Sequence, residues 1–96
     1  MRRLVLAAAL ATSACATEPP PAAELASARA AIEQAGTAGL QRAPSELEAA
    51  RAKLSRAQDA VASGDNVHAR RLAQEAEVDA RLAWALSENE RLRPMQ

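Results

Sequence analysis

Few side chains in this sequence belong to types that carry covalent or acid–base chemistry. Cys15 is the only cysteine and His68 the only histidine. A zinc site needs three or four cysteine, histidine or carboxylate ligands, and a nucleophile needs an adjacent base. The carboxylates Glu75, Glu77 and Asp79 are spaced as on an ordinary solvated helix. We therefore expect no enzymatic activity, no metal and no cofactor, and a catalytic or metal role for His68 is kept as a third hypothesis.

The residues before the cysteine have the layout of a secretory signal. Arg2 and Arg3 form a positive start, and residues 4–11 form an apolar run that is too short to cross a bilayer, which needs roughly 20 residues. The adjoining Thr-Ser-Ala-Cys at residues 12–15 resembles the lipobox of bacterial lipoproteins, in which the cysteine receives diacylglycerol and an acyl chain after cleavage. We expect removal of residues 1–14 and lipidation of Cys15; the alternative is a plain signal peptide with an incidental cysteine.

This resemblance also implies a location. Several acyl chains, at about 0.8 kcal/mol per buried CH₂, make a durable membrane anchor. Ala16 replaces the aspartate that usually retains Gram-negative lipoproteins in the inner membrane, so the expected site is the periplasmic leaflet of the outer membrane. Residues 15–21 contain three consecutive prolines and form an extended tether, which holds the helical domain within about 20 Å of the lipid.

The composition beyond the leader favours slender helices. More than a quarter of the 96 residues are alanine, with one tryptophan and neither phenylalanine nor tyrosine. Acidic and basic residues number 12 each, so removal of the two leader arginines leaves a net charge of −2 (10 minus 12). A slightly acidic chain lacks the excess of basic residues that is typical of nucleic-acid binding, so we expect no nucleic-acid partner.

Periodicity and turn residues predict three helices, at about 22–35, 45–63 and 66–92. Gly36 is expected to end the first helix. Ser45 and Glu48 form a candidate capping box at the start of the second helix. Gly64 is a helix stop, and Asp65 or Asn66 can cap the third helix. The expected fold of residues 22–93 is all-α, as a small antiparallel three-helix bundle or a helical hairpin with a short first helix.

The third predicted helix carries more apolar surface than one partner helix can cover. One stripe is rich in alanine, and a second contains Val78 and Leu82, with Trp84 and Leu86 at the borders of the first. This helix either packs on both other helices or on the second helix and another molecule. Its candidate partner contacts are Val78, Leu82, Trp84 and Leu86. The polar residues assigned to the opposite, solvent face are Arg70, Gln74, Glu77, Arg81 and Glu88.

Several short runs of residues also resemble a known family. They are Ala31-Ile32 with Ala35, Ala43-Pro44-x-Glu46-Leu47-x-x-Ala50-x-x-Lys53-Leu54-x-x-Ala57, Gly64-Asp65, and Ala69-Arg70-Arg71-Leu72-Ala73-x-x-Ala76-x-x-Asp79-Ala80-x-Leu82-Ala83. Through them, residues 25–86 resemble small alanine-rich bacterial envelope lipoproteins classified as domain of unknown function 4398. The resemblance implies an envelope location and a helical domain, fused in some relatives to a peptidoglycan-binding domain. It implies no catalytic residues.

Two functions from different classes are consistent with these patterns. The first is a non-enzymatic envelope lipoprotein, anchored in the membrane by lipid, that acts through helix-mediated contacts with a protein partner or with a second copy of itself. The alternative is a peptidoglycan-proximal binding module, in which Arg70 and Arg71 contact an anion such as a cell-wall carboxylate or a lipid headgroup. Two arginines alone make a weak anionic contact.

Overall fold

Three helices follow one another in the part of the chain that the structure describes. The computed structural model describes residues 18–39 and 43–93, and within those ranges it contains α1 (Ala22–Gly39), α2 (Pro44–Ala62) and α3 (Asn66–Leu92). The all-α class is confirmed. The expected signal peptide and the lipidation site at Cys15 lie outside the described residues.

Two apolar clusters fix how the helices run. In one cluster Leu25 of α1 packs with Ala57 of α2 and Leu72 of α3. In the other cluster, the later residue Ile32 of α1 packs with the earlier residue Leu47 of α2. The same cluster contains later residues of α3, namely Ala80 and Ala83. Helices α1 and α3 therefore run in the same direction, and α2 runs against both.

Alanine occupies most of the buried apolar positions in the described residues. The fully buried positions of α3 include Ala69, Ala76, Ala80 and Ala83, each at 0% exposure. A methyl side chain lets helix axes approach closely, since interaxial distance depends on the side chains at the contact. The large buried aliphatic side chains Leu47, Leu72 and Ile32 fill the space that the alanines leave.

Helix α1 is longer than its sequence predicted. Gly36 does not end the helix, which continues to Gly39. A glycine that ends a helix takes a positive φ, and in the described chain only Gly64 does so, at φ 81°. Glycine inside a helix costs about 1 kcal/mol relative to alanine. Burial of Ile32 and Ala35 against the other helices stabilises this end of α1 and offsets that cost.

The start of α2 also differs from expectation. The predicted capping box is wrong, because the helix begins one residue earlier, with Ala43 at the N-cap and no side-chain cap. Pro44 occupies the first helical position, where its missing N–H is not needed. Ser45 Oγ instead donates to Glu46 Oε2 at 3.1 Å, and Glu48 pairs with Arg51 at 3.0 Å. Burial of Ala43, which is 2% exposed, holds this helix start in place of a hydrogen-bonded cap.

The turn between α2 and α3 has the predicted geometry. Gly64 takes the left-handed conformation, with φ 81°, and a side-chain oxygen of Asp65 accepts the backbone N–H of His68 at 3.2 Å. The helix stop at Gly64 is confirmed, and of the two candidate caps, Asp65 and Asn66, the structure uses Asp65. This local stop and start reverses the chain within three residues, Ser63 to Asp65, which aligns α3 against α2 and sets the direction in which each face of α3 points.

Candidate partner-contact surface on α3

One face of α3 carries large apolar side chains that neither α1 nor α2 covers. Val78, Leu82 and Leu86 succeed one another at intervals of four residues and are 63%, 47% and 40% exposed. Residues four apart lie on the same side of an α-helix. We call these three residues the exposed strip. Ala85 lies beside them and is also exposed.

Trp84 does not belong to the exposed strip. Residues two apart lie about 160° apart around a helix axis, so Trp84 points away from both Leu82 and Leu86. The indole is 38% exposed and forms a separate apolar spot. The four candidate partner contacts therefore form two surfaces on α3, one strip of three residues and one isolated tryptophan.

Two ion pairs define which helix flanks each surface. Lys53 of α2 lies 2.7 Å from Asp79 of α3, and Leu86 lies on the same side of α3 as Asp79. Arg70 of α3 lies 3.4 Å from Glu24 of α1, and Trp84 lies on that side. The exposed strip is thus bordered by α2, and Trp84 by α1. Neither α1 nor α2 covers the exposed strip or Trp84.

The face of α3 that was expected to be solvent is partly a contact face. Arg70 pairs with the carboxylates of Glu18 and Glu24, and its side chain is 35% exposed. Glu77 pairs with Arg81 at 2.7 Å and is itself partly buried. The prediction of a fully solvated face is wrong, because α1 packs beside it.

The two arginines proposed as an anion contact, Arg70 and Arg71, have different partners in the structure. Arg70 is held by Glu18 and Glu24, whereas Arg71 is exposed and its Nη2 lies 2.9 Å from His68 Nδ1. Since a guanidinium group only donates, the imidazole nitrogen accepts this bond. The two carboxylates already neutralise much of the charge that Arg70 would offer to an anion.

His68 has the surroundings of a surface residue. Its backbone N–H is used by the helix cap, and its ring faces Arg71 in a shallow depression that Asp65 and Val67 complete. Among residues 18–39 and 43–93 no three histidine, cysteine or carboxylate side chains are grouped so that they could hold a metal ion. In the part of the chain that the structure describes, Asp65 shares this depression with His68, but no third ligand joins them to complete a metal site.

The residues before α1 make a contact that sequence reasoning missed. Asn66 Nδ2 donates to the backbone carbonyl of Glu18 at 2.7 Å, and Glu18 also pairs with Arg70. Pro21 is fully buried. The end of the tether is therefore fixed to the first turns of α3. Glu18 and Asn66 are 48 residues apart in the chain. Residues this far apart form no local sequence pattern, so the contact could not be predicted from a motif.

The hydropathy of the described helices and comparisons of the sequence with known proteins indicate which family this chain belongs to. None of the helices within the described ranges is long and apolar enough to cross a membrane. No curated protein and no solved structure matches the chain. A family model, described as a domain of unknown function (DUF4398), matches residues 23–93. This match covers all three helices and most of the sequence, and the chain therefore belongs to the DUF4398 family.

Proposed function

We propose that this protein is a non-enzymatic envelope lipoprotein, an antiparallel three-helix bundle anchored through lipid on Cys15 at the periplasmic face of the outer membrane. It acts by presenting α3 to a protein partner or to a second copy of itself. Support for the anchor comes from residues 12–15 after a short apolar run. The observation that carries the contact function is the exposed strip.

The exposed strip differs from a random scatter of apolar residues. Three large side chains occupy one helix face over two turns, while the core of the same helix is lined with alanine. Helix-in-groove recognition uses apolar anchors spaced by three or four residues. The spacing of Val78, Leu82 and Leu86 suits that mode, with Leu82 at the centre.

Site-specific photocrosslinking in the native envelope tests this contact. A photoreactive amino acid at Leu82 should yield a defined protein adduct, because this side chain projects from the centre of the exposed strip. The matched control is Gln58, an exposed position of α2, which should yield none. A monomeric protein without adducts at either position contradicts the contact function.

The anchor is tested separately. The Cys15→Ser variant should lose incorporation of labelled fatty acid and leave the membrane fraction, because serine offers no sulfur for the thioether. Ser13→Ala keeps a small residue within the proposed lipobox and should remain anchored. Continued fatty-acid labelling of Cys15→Ser would contradict lipidation at this residue.

Cell-wall binding is the competing function. The two contacts of Arg70 with Glu18 and Glu24 favour the protein-contact proposal, because they occupy one of the two arginines on which cell-wall binding depends. Sedimentation with purified peptidoglycan separates the two functions. The protein-contact proposal expects the Cys15→Ser form to stay in the supernatant. Retention that is lost in Arg71→Ala would favour the binding module instead.

A further inference from the structure

The point at which the tether joins the bundle limits how the domain can sit on a membrane. Glu18 is fixed to the start of α3 by Asn66 and Arg70. Only Ala16 and Thr17 separate Glu18 from Cys15. Three residue steps of extended chain span at most about 11 Å. A lipidated Cys15 therefore lies close to the α2–α3 turn.

The direction of α1 agrees with this limit. Helices α1 and α3 run in parallel, so both begin at the end of the bundle that contains the α2–α3 turn. Helix α3 has 27 residues and spans about 40 Å at 1.5 Å per residue. The far end of α3 is therefore more than three times farther from Glu18 than the roughly 11 Å that the steps from Glu18 to Cys15 can span.

The side chains at this end suit a lipid surface. Val67 is 64% exposed and Arg71 is exposed beside it, which pairs an apolar tip with a cation that anionic headgroups attract. The carboxylate of Asp65 is directed to a backbone N–H of the helix start, where negative charge is favourable.

The exposed strip is less suited to enter lipid. Glu75 lies one turn before Val78 on the same face of α3 and is itself exposed. A carboxylate buried in an apolar phase carries a large desolvation penalty. Contact of the whole strip with an anionic bilayer would bring this carboxylate to the lipid as well. An end-on arrangement keeps Glu75 in water.

We propose that the α2–α3 end of the bundle rests against the lipid surface that holds Cys15, with α3 directed away from it. This inference rests on the proposed lipidation of Cys15. In this arrangement Val78 and Leu86 stand about 18 and 30 Å from the start of α3, measured along its axis. The exposed strip then faces a partner beside the domain, at a fixed height above the bilayer.

Fluorescence quenching on vesicles tests this orientation. Lipidation blocks the only natural thiol, so Val67→Cys or Asn89→Cys supplies a single site for a fluorophore. The full-length lipidated protein is placed in vesicles of phosphatidylethanolamine and phosphatidylglycerol that contain headgroup-spin-labelled lipid as the quencher. Both positions are exposed and lie about 33 Å apart along α3. The label at 67 should lose fluorescence, and the label at 89 should keep it.

Each result has a defined meaning. Equal quenching at 67 and 89, or stronger quenching at 89, overturns the end-on orientation while leaving the anchor intact. Protein that fails to float with the vesicles contradicts the lipid anchor and, with it, this inference.

A second variant tests whether the contacts of Glu18 with Asn66 and Arg70 position the domain. Combined Asn66→Ala and Arg70→Gln substitutions remove both of its contacts and lengthen the free tether, so quenching at 67 should decrease. Circular dichroism reports whether this variant keeps its helices. Unchanged quenching in a folded variant overturns the positioning role of Glu18.

Discussion

The two faces of α3 carry opposite kinds of apolar side chain, small ones that are buried and large ones that are exposed. The face turned towards α1 and α2 is lined mainly with alanine, whereas the face turned away carries Val78, Leu82 and Leu86. In most globular domains large apolar residues lie inside and small ones are tolerated outside. The contrast indicates that close helix packing determines the inner face, whereas the outer face is the one that the proposed contact would cover.

Truncation of one leucine on each face should give the largest difference. Leu72→Ala removes a side chain that is 3% exposed and should lower the free energy of unfolding by about 3 kcal/mol, through lost burial and a residual cavity. Leu82→Ala, at 47% exposure, should change it by no more than about 0.5 kcal/mol. Urea unfolding in a Cys15→Ser background measures both. Equal losses would mean that the strip also stabilises the isolated domain.

The converse experiment replaces one alanine on each face of α3 with the larger leucine. Ala80→Leu inserts three carbons at a fully buried position and should destabilise the domain by about 2 kcal/mol, because the close-packed helices must separate. Ala85→Leu adds the same atoms at an exposed position and should be nearly neutral. Thermal unfolding followed by circular dichroism compares them. If Ala80→Leu left the stability unchanged, the alanine core would not be close-packed at this position.

The start of α3 fixes which way its two faces point. Asp65→Ala removes the oxygen that accepts the His68 N–H and should lower the free energy of unfolding by about 1 kcal/mol. Asp59→Ala removes a carboxylate from an exposed position of α2 and serves as the control. Amide hydrogen exchange should show faster exchange in the first turn of α3 only for Asp65→Ala. Unchanged protection there would contradict the capping role.

The ion pair between Lys53 and Asp79 lies between the two faces of α3, on the side of α2. Its removal should change the free energy of unfolding least. The hydrogen bond with Asp79 raises the pKa of Lys53 above 10.5, and partial desolvation opposes this shift. A pKa that is higher in the folded state adds stability below pH 10.5, and this contribution disappears as the pH rises through the folded pKa. The stability difference between wild type and Lys53→Met should therefore shrink only in strongly alkaline solution. Denaturant titrations at neutral and alkaline pH measure it, and a difference that is constant across that range would contradict the pair.

Local chemistry and periodicity were sufficient for some parts of the fold. The αL glycine at Gly64 and the cap at Asp65 depend on neighbouring residues alone, so the sequence predicted both. The apolar residues of α3 recur with helical spacing, which separated its two faces. At Gly36 the same reasoning failed, because long-range burial of Ile32 and Ala35 outweighed a local preference.

The candidate site shows the same division. The excess apolar arc on α3 marked Val78 and Leu82 as candidate contacts but left open whether α1 would cover them, and the structure leaves both exposed. The attachment of Glu18 to Asn66 and Arg70 could not, because it joins residues far apart in the chain. Such contacts depend on helix packing that no single segment encodes. The two arginines looked equivalent in sequence, yet only the fold shows that Arg70 is already paired.

The alanine-lined core also has a consequence for conformational entropy. An alanine side chain has no rotamers to lose on folding, whereas a buried leucine gives up about 0.5–1 kcal/mol. The α3 face formed by Ala69, Ala76, Ala80 and Ala83 therefore orders at little cost in side-chain entropy and offers no alternative side-chain arrangements. Each methyl group contributes little buried area, however, so stability must accumulate over many helical turns. The length of the helices, more than any single large residue, then sets how firmly the domain holds its shape.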